Sequence, residues 1–309
     1  MGSFHTLHEF YCGNNQISML TEIDNVKTWQ TLRVIDLSNN PIISNGLYKK
    51  FITFHLSNIE YISGEYVQKS DISEASYVFG NKCDKHVLNA IYETDRLMNI
   101  TQLSLVDCSL SKVDISAELL PQLESLDLSK NHITYLWGLH SFKSLRTLCL
   151  SHNCLETFNG NNYEKNKSTF PKLCTLLLDH NCIKSATNIT KHILPVIKHL
   201  FLNNNCLQSI NEINHCSTLE SLVLDSNEIE LLNVEDFIEN NNLKFLSLEN
   251  NKIKSLEFVK PLKKLKKLYL AYNYLANEVE IQYILLLKNL EEITFIGNPL
   301  YDKDNKDKI

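Results

Sequence analysis

Two tripeptides carry side chains that could do chemistry together. His152-Asn153-Cys154 and His180-Asn181-Cys182 present the same donors at the same place in two similar stretches, and Cys206 continues the series. Two imidazoles and two thiolates form a tetrahedral zinc set when they converge on one point. If the stretches are neighbouring strands, stacked about 4.8 Å apart, all four donors come near one another. Stacked coils at that spacing need not aim their side chains at one centre, so the reading adopted is structural. On it, each Cys fills a small half-buried position after the Asn, each His lies on a polar edge, and neither a metal nor a cofactor is expected. No glycine-rich phosphate loop, nucleophile elbow or His-Glu-x-x-His pattern occurs. Eight glycines leave little from which to build a nucleotide cradle. Neither catalysis nor a small-molecule substrate is therefore expected.

The elements that would carry these residues follow from an internal repeat. The pattern L-x-x-L-x-L-x-x-N-x-L recurs, as in Leu123-Leu126-Leu128-Asn131-Ile133, Leu173-Leu176-Leu178-Asn181-Ile183 and Leu243-Leu246-Leu248-Asn251-Ile253. Further copies begin at Leu7, Leu32, Leu145, Ile197, Leu219, Leu265 and Leu290, mostly 22 to 25 residues apart. The central x-L-x-L-x alternates with period two, which makes a short strand with its leucines on one face. The Asn after it sits at a tight bend, where its amide can serve backbone groups of neighbouring coils. This is the signature of an α/β leucine-rich-repeat solenoid, with a curved parallel sheet on the concave face and short helices or turns on the convex one.

The repeat divides the chain. It breaks between Leu56 and Ile100, after Asn40-Pro41-Ile42, an apolar stretch with Tyr48, Phe51 and Ile52, and Ser63-Gly64 before Val67. Residues 1–67 read as the last coils of one array with its cap, 68–99 as a connector with a short helix around Val87-Leu88, and 100–309 as a second array. Residues 159–169, with Asn161, Asn162, Lys165 and Lys167, lengthen one coil into a loop on the convex side. Gly297-Asn298-Pro299-Leu300 opens like a second cap that is not completed. Both ends thus read as cut from a longer protein, and Phe295 and Leu300 are expected to be poorly covered and to favour self-association.

The short repeat, the Asn-Pro-apolar turn, the aromatic-rich segment and the Ser-Gly turn together resemble the SDS22-like leucine-rich-repeat family. Ser63 stands where that family more often has Asp. The order of cap, connector with Phe79-Gly80, and second array opening at Leu103-Leu105 is similar to the leucine-rich repeat-containing protein 9 family. That resemblance implies a large intracellular protein associated with cilia or the axoneme and without established enzymatic activity. Related SDS22-like families all act by binding partners, and a regulatory subunit that directs an enzyme such as a protein phosphatase is the alternative it implies.

Bulk properties agree with a protein partner. The net charge of −6 argues against nucleic acid, and the nine cysteines, none in a Cys-x-x-Cys pair, fit reduced thiols in the cytoplasm. There is neither a signal-peptide pattern nor a run of about 18 apolar residues, so no membrane is expected as a partner. The partner-binding residues follow from strand alternation, because the residue between the second and third leucine positions points out of the concave face. That column reads Ser104, Asp127, Cys149, Leu177, Phe201, Val223, Ser247, Tyr269 and Thr294. Leu177, Phe201 and Val223 form its apolar middle, Phe245 and Tyr272 stand in adjacent columns, and Asp179, Asp225 and Glu249 form an acidic stripe alongside.

Overall fold

The computed structural model describes residues 6–18, 29–46, 48–79, 82–92, 97–134, 136, 138–158, 170–186, 189–211 and 213–301. The loop at 159–169, Gly80, the side chain of Phe79 and residues 302–309 lie outside the described residues. The chain divides into two compact units, one of residues 1–100 with 107–121, the other of residues 101–106 with 122–309. Among the described residues no helix is long and apolar enough to cross a membrane.

In the first unit, β1 (Glu9–Tyr11), β2 (Val34–Asp36) and β3 (Tyr61–Ile62) run parallel, with Phe10 paired to Ile35 and Ile35 to Ile62. β4 (Glu65–Tyr66) folds back antiparallel on β3. The hairpin turn holds Ser63 at φ 49° and Gly64 at φ 85°, the two positive φ values that a type I′ turn requires. Between β2 and β3, α1 (Tyr48–His55) buries Phe51 and Ile52. It is followed by α2 (Lys69–Phe79), which the apolar pattern does not signal, since Ile72 and Tyr77 are exposed. β5 (Lys82–Asp84) ends in an N-cap: Asp84 accepts from the amides of His86 and Val87 and starts α3 (Lys85–Ile91), which buries Val87 and Leu88.

β6 (Gln102–Ser104) belongs to the second unit, whereas β7 (Lys112–Asp114) pairs with β5 in the first. The second unit is a nine-stranded parallel sheet. Beside β6 lie β8 (Ser125–Asp127), β9 (Thr147–Cys149), β10 (Thr175–Leu177), β11 (His199–Phe201) and β12 (Ser221–Val223). β13 (Phe245–Ser247), β14 (Lys267–Tyr269) and β15 (Glu292–Thr294) complete it. Every strand has three residues, and the middle one is a buried Leu in all but β15, where it is the exposed Ile293. Behind the sheet, among the described residues, coils return through short 3-10 turns such as Val234–Phe237 and Glu257–Val259, or through α4 (Ile281–Ile284). Phe158, Phe170, Phe237 and Phe258 are fully buried and fill the core. This architecture is a leucine-rich-repeat solenoid.

The repeated Asn ties each coil to the one before. Asn181 Nδ2 donates to the carbonyls of Leu178 and Asp179 in its own coil and of Leu150 in the preceding one, at 3.0, 3.2 and 2.9 Å. Its Oδ1 accepts from the amide of Leu155 at 3.0 Å. Asn153, Asn205, Asn227, Asn251 and Asn273 repeat the arrangement. A buried amide with all its groups partnered is stabilising, whereas a partly partnered one is costly.

Candidate protein-binding face

Strict register turns the outward residues into columns. Ser104, Asp127, Cys149, Leu177, Phe201, Val223, Ser247, Tyr269 and Thr294 are paired one to the next across the whole sheet. Leu177, Phe201, Val223 and Tyr269 are half-buried, and Ser247 is buried. At strand spacing such side chains flank one another, so each shields part of the next. Phe245 stands one column away, paired with Ser221 and Lys267, and its ring meets Tyr269 edge to face at 5.3 Å. The Tyr269 hydroxyl donates to Glu292 Oε1 at 2.8 Å.

Tyr272 is placed differently from its strand neighbours. It lies beyond β14 in the turn, 61% exposed and at φ 56°. Its ring covers Gly297, where an added Cβ would come within 2.4 Å of the ring.

The acidic stripe is tied into the sheet rather than free. Asp179 accepts from Ser151 Oγ at 2.5 Å, and Asp225 accepts from Ser247 Oγ at 2.6 Å and from the Glu249 amide at 2.7 Å. Glu249 accepts from Thr294 Oγ1 at 2.8 Å. Burial raises the Asp225 carboxyl above the ordinary carboxylate range, against the lowering effect of Ser247.

A second charged line runs along the residues that precede the strands. Glu124 pairs with Arg146 at 3.5 Å, Glu220 with Lys244 at 2.7 Å and Lys198 at 3.0 Å, and Glu291 with Lys266 at 2.6 Å. The sequence signal for it is a mixture of acidic and basic residues at one repeat position, visible only once the repeat is aligned.

The largest feature missed by sequence reasoning is conformational. The residue before each ladder Asn has positive φ: Lys130, His152, His180, Asn204, Ser226, Asn250 and Tyr272, with Gly297 closing the series. This turns its amide toward the next coil, as in His152 N to Asp179 O at 2.9 Å and Tyr272 N to Ile296 O at 2.8 Å. The prevalence of Asn, Ser, His and Gly at that place was the available sign.

The cysteines expected to be half-buried are corrected in part: Cys154 and Cys182 are exposed, and only Cys206 is intermediate. Each lies between two buried residues, Asn153 and Leu155 in one case and Asn181 and Ile183 in the other, so alternation sends its side chain outward. Two thiols are poor nucleophiles by their surroundings: burial pushes Cys216 up to about 12 and Cys12 up to about 11. Leu300, expected to be poorly covered, is buried, because its amide bonds to Leu275 O at 2.8 Å and seats it against the preceding coil. Phe295 is half-buried, and the exposure falls instead on Ile293, Ile296 and Leu285.

A family model described as leucine rich repeat matches residues 217–275. Solved structures with similar folds include an internalin C2 from Listeria monocytogenes, 20% identical, with 75% of this chain and 86% of that one covered and a TM-score of 0.54. A TLR13–ssRNA13 complex is 22% identical, with 94% of this chain and 43% of that one covered and a TM-score of 0.56. An LRIM1/APL1C complex is 19% identical, with 95% and 44% covered and a TM-score of 0.52. At these identities the likeness is one of fold.

Proposed function

We propose that the chain is a non-catalytic scaffold that binds a protein on the outward face of β10 to β14. The observation that carries this reading is the in-register apolar run Leu177, Phe201 and Val223, continued by Phe245 and Tyr269 and bordered by Asp179, Asp225 and Glu249. Apolar anchors inside a charged border are the composition of a protein-binding centre. Carboxylates beside an apolar row favour a basic, amphipathic segment, such as a helix with apolar anchors at i, i+3 and i+4. Tyr272 would sit at the margin of such a contact. The net charge of −6 and the absence of Lys or Arg from the apolar middle favour protein over nucleic acid.

The resemblance to intracellular SDS22-like proteins supports a cytoplasmic partner, with cilia or the axoneme as the finer location proposed. Imaging of the tagged protein in ciliated cells tests that placement. The binding face is tested by purifying the captured partner and measuring its affinity for wild type and Phe201→Ala. The substitution is expected to weaken binding by about 2 kcal/mol, the scale of a central anchor, with the thermal transition nearly unchanged. A large loss of stability without a specific loss of affinity would overturn the assignment of Phe201 to the binding face.

A further inference from the structure

We propose that His152, Asp179 and His180 form a binding site for a divalent transition-metal ion of the zinc class, without the cysteines that the sequence sets beside them. One donor atom from each of the three residues lies within 4.8 Å of the other two, and among the described residues this is the one His/Cys/Asp/Glu group so assembled. Two imidazoles and a carboxylate are a recurrent zinc donor set that leaves a coordination position open. Imidazole nitrogen also favours zinc, nickel or copper over magnesium or calcium.

The repeat explains how the donors meet. His152 and His180 occupy the same turn position in adjacent coils, both at positive φ, with their rings stacked at 4.1 Å and 9° apart. The backbone holds them there: His152 N donates to Asp179 O and His180 N to Asn203 O. Asp179 sits immediately before His180, and Ser151, immediately before His152, donates its hydroxyl to Asp179 Oδ1 at 2.5 Å. That bond draws the carboxylate toward the coil of His152 and leaves its second oxygen for an ion. The Asn204 side-chain amide lies 3.3 Å from His180 Nε2 and steadies that ring from the far side. Groups that orient metal ligands in this way matter nearly as much as the ligands themselves.

Stacked rings point their lone pairs side by side rather than at one point. Zinc–nitrogen bonds of about 2.0–2.1 Å place two tetrahedral donors about 3.3 Å apart. Both rings are exposed, so side-chain rotation alone can close the set while the backbone ladder stays intact. Cys154 and Cys182 are exposed as well, but their thiols do not join the group.

The test uses the full chain, stripped with a chelator and titrated with zinc chloride by calorimetry. Wild type is expected to bind one ion at this site, with nickel competing and magnesium not. His180→Asn and Asp179→Asn are each expected to weaken it at least about tenfold, the lower end of the loss seen when even an outer partner of a ligand is removed. Asn is suited to the positive φ of position 180 and already occupies the equivalent Asn204 and Asn250, so the His180→Asn protein should fold, with circular dichroism as the check. The Cys154→Ser, Cys182→Ser double variant is expected to bind like wild type, and X-ray absorption should show a nitrogen and oxygen shell without sulfur. The assignment would be overturned by zinc binding that survives His180→Asn, by binding that disappears in the cysteine double variant, by sulfur in the shell, or by no binding at all.

Discussion

Positive φ at the residue before the ladder Asn is the price of a continuous backbone ladder. An L-residue in this conformation costs about 1–2 kcal/mol, and glycine escapes the cost at the expense of unfolded-state entropy. Lys130 bears it at φ 56° with an exposed side chain, and its amide bonds to Ser151 O at 2.9 Å. Lys130→Gly is therefore expected to raise stability by up to about 1 kcal/mol. Measured denaturation midpoints check the sign, and a loss of stability would refute the strain argument. Gly297→Ala should act the other way. It adds a Cβ at φ 75° and drives it to within 2.4 Å of the Tyr272 ring, so both the backbone and the ring must move. A loss of about 1–3 kcal/mol is expected, the scale of a strained backbone position, with a change in Tyr272 fluorescence or ring chemical shifts. None of this conformational pattern is written as an apolar period, and so it escaped a reading built on leucines. The exposure of Cys154 and Cys182 escaped for a related reason: it follows from which side of the turn Asn153 and Asn181 occupy.

At the scale of the elements, three-residue strands are too short to hold together by propensity, and their order comes from the ladder that links them. Asn227 donates to the carbonyls of Leu202, Leu224 and Asp225 and accepts from the amide of Leu207. Replacing it with Ala leaves buried backbone groups unpartnered, at about 1–3 kcal/mol each. Asn227→Ala is expected to cost about 3 kcal/mol or more, and a urea midpoint close to wild type would show that water replaces the amide. The charged line beside the strands makes a smaller, pH-dependent contribution. Hydrogen bonding to Lys244, and then to Lys198, lowers Glu220 from 4.5 to about 2. Its folded value is depressed, so its stabilisation is present above pH 4.5 and is lost as the pH falls toward about 2. Glu220→Gln should flatten the decline of stability across that window, modestly and less so in high salt, because exposed pairs are screened. The strands, their register and the outward column were legible because Leu-x-Leu and Asn recur at fixed offsets. The hydrogen bonds that restrain Asp179 and Asp225 were not, since they depend on Ser151 and Ser247 in the neighbouring coils.

For the second unit as a whole, stability is a sum over coils and their interfaces, because each coil meets mainly the one before and the one after. An interior coil is held on both sides, whereas an edge coil is held on one. Leu222 lies in interior strand β12 and is fully buried, while Ile293, its equivalent in edge strand β15, is 37% exposed. Truncating a buried leucine costs about 2–5 kcal/mol through lost transfer energy and the cavity left behind. Truncating a partly exposed isoleucine loses less of both terms. Leu222→Ala is therefore expected to lower stability by about 2–5 kcal/mol, and Ile293→Ala by about 1 kcal/mol or less. Amides of β15 should also exchange with solvent faster than those of β12, because opening the edge breaks a single interface. Urea denaturation of the two variants side by side decides the matter. An Ile293→Ala cost equal to that of Leu222→Ala would mean that β15 is covered as an interior strand is, and the one-sided account of this edge would have to be abandoned.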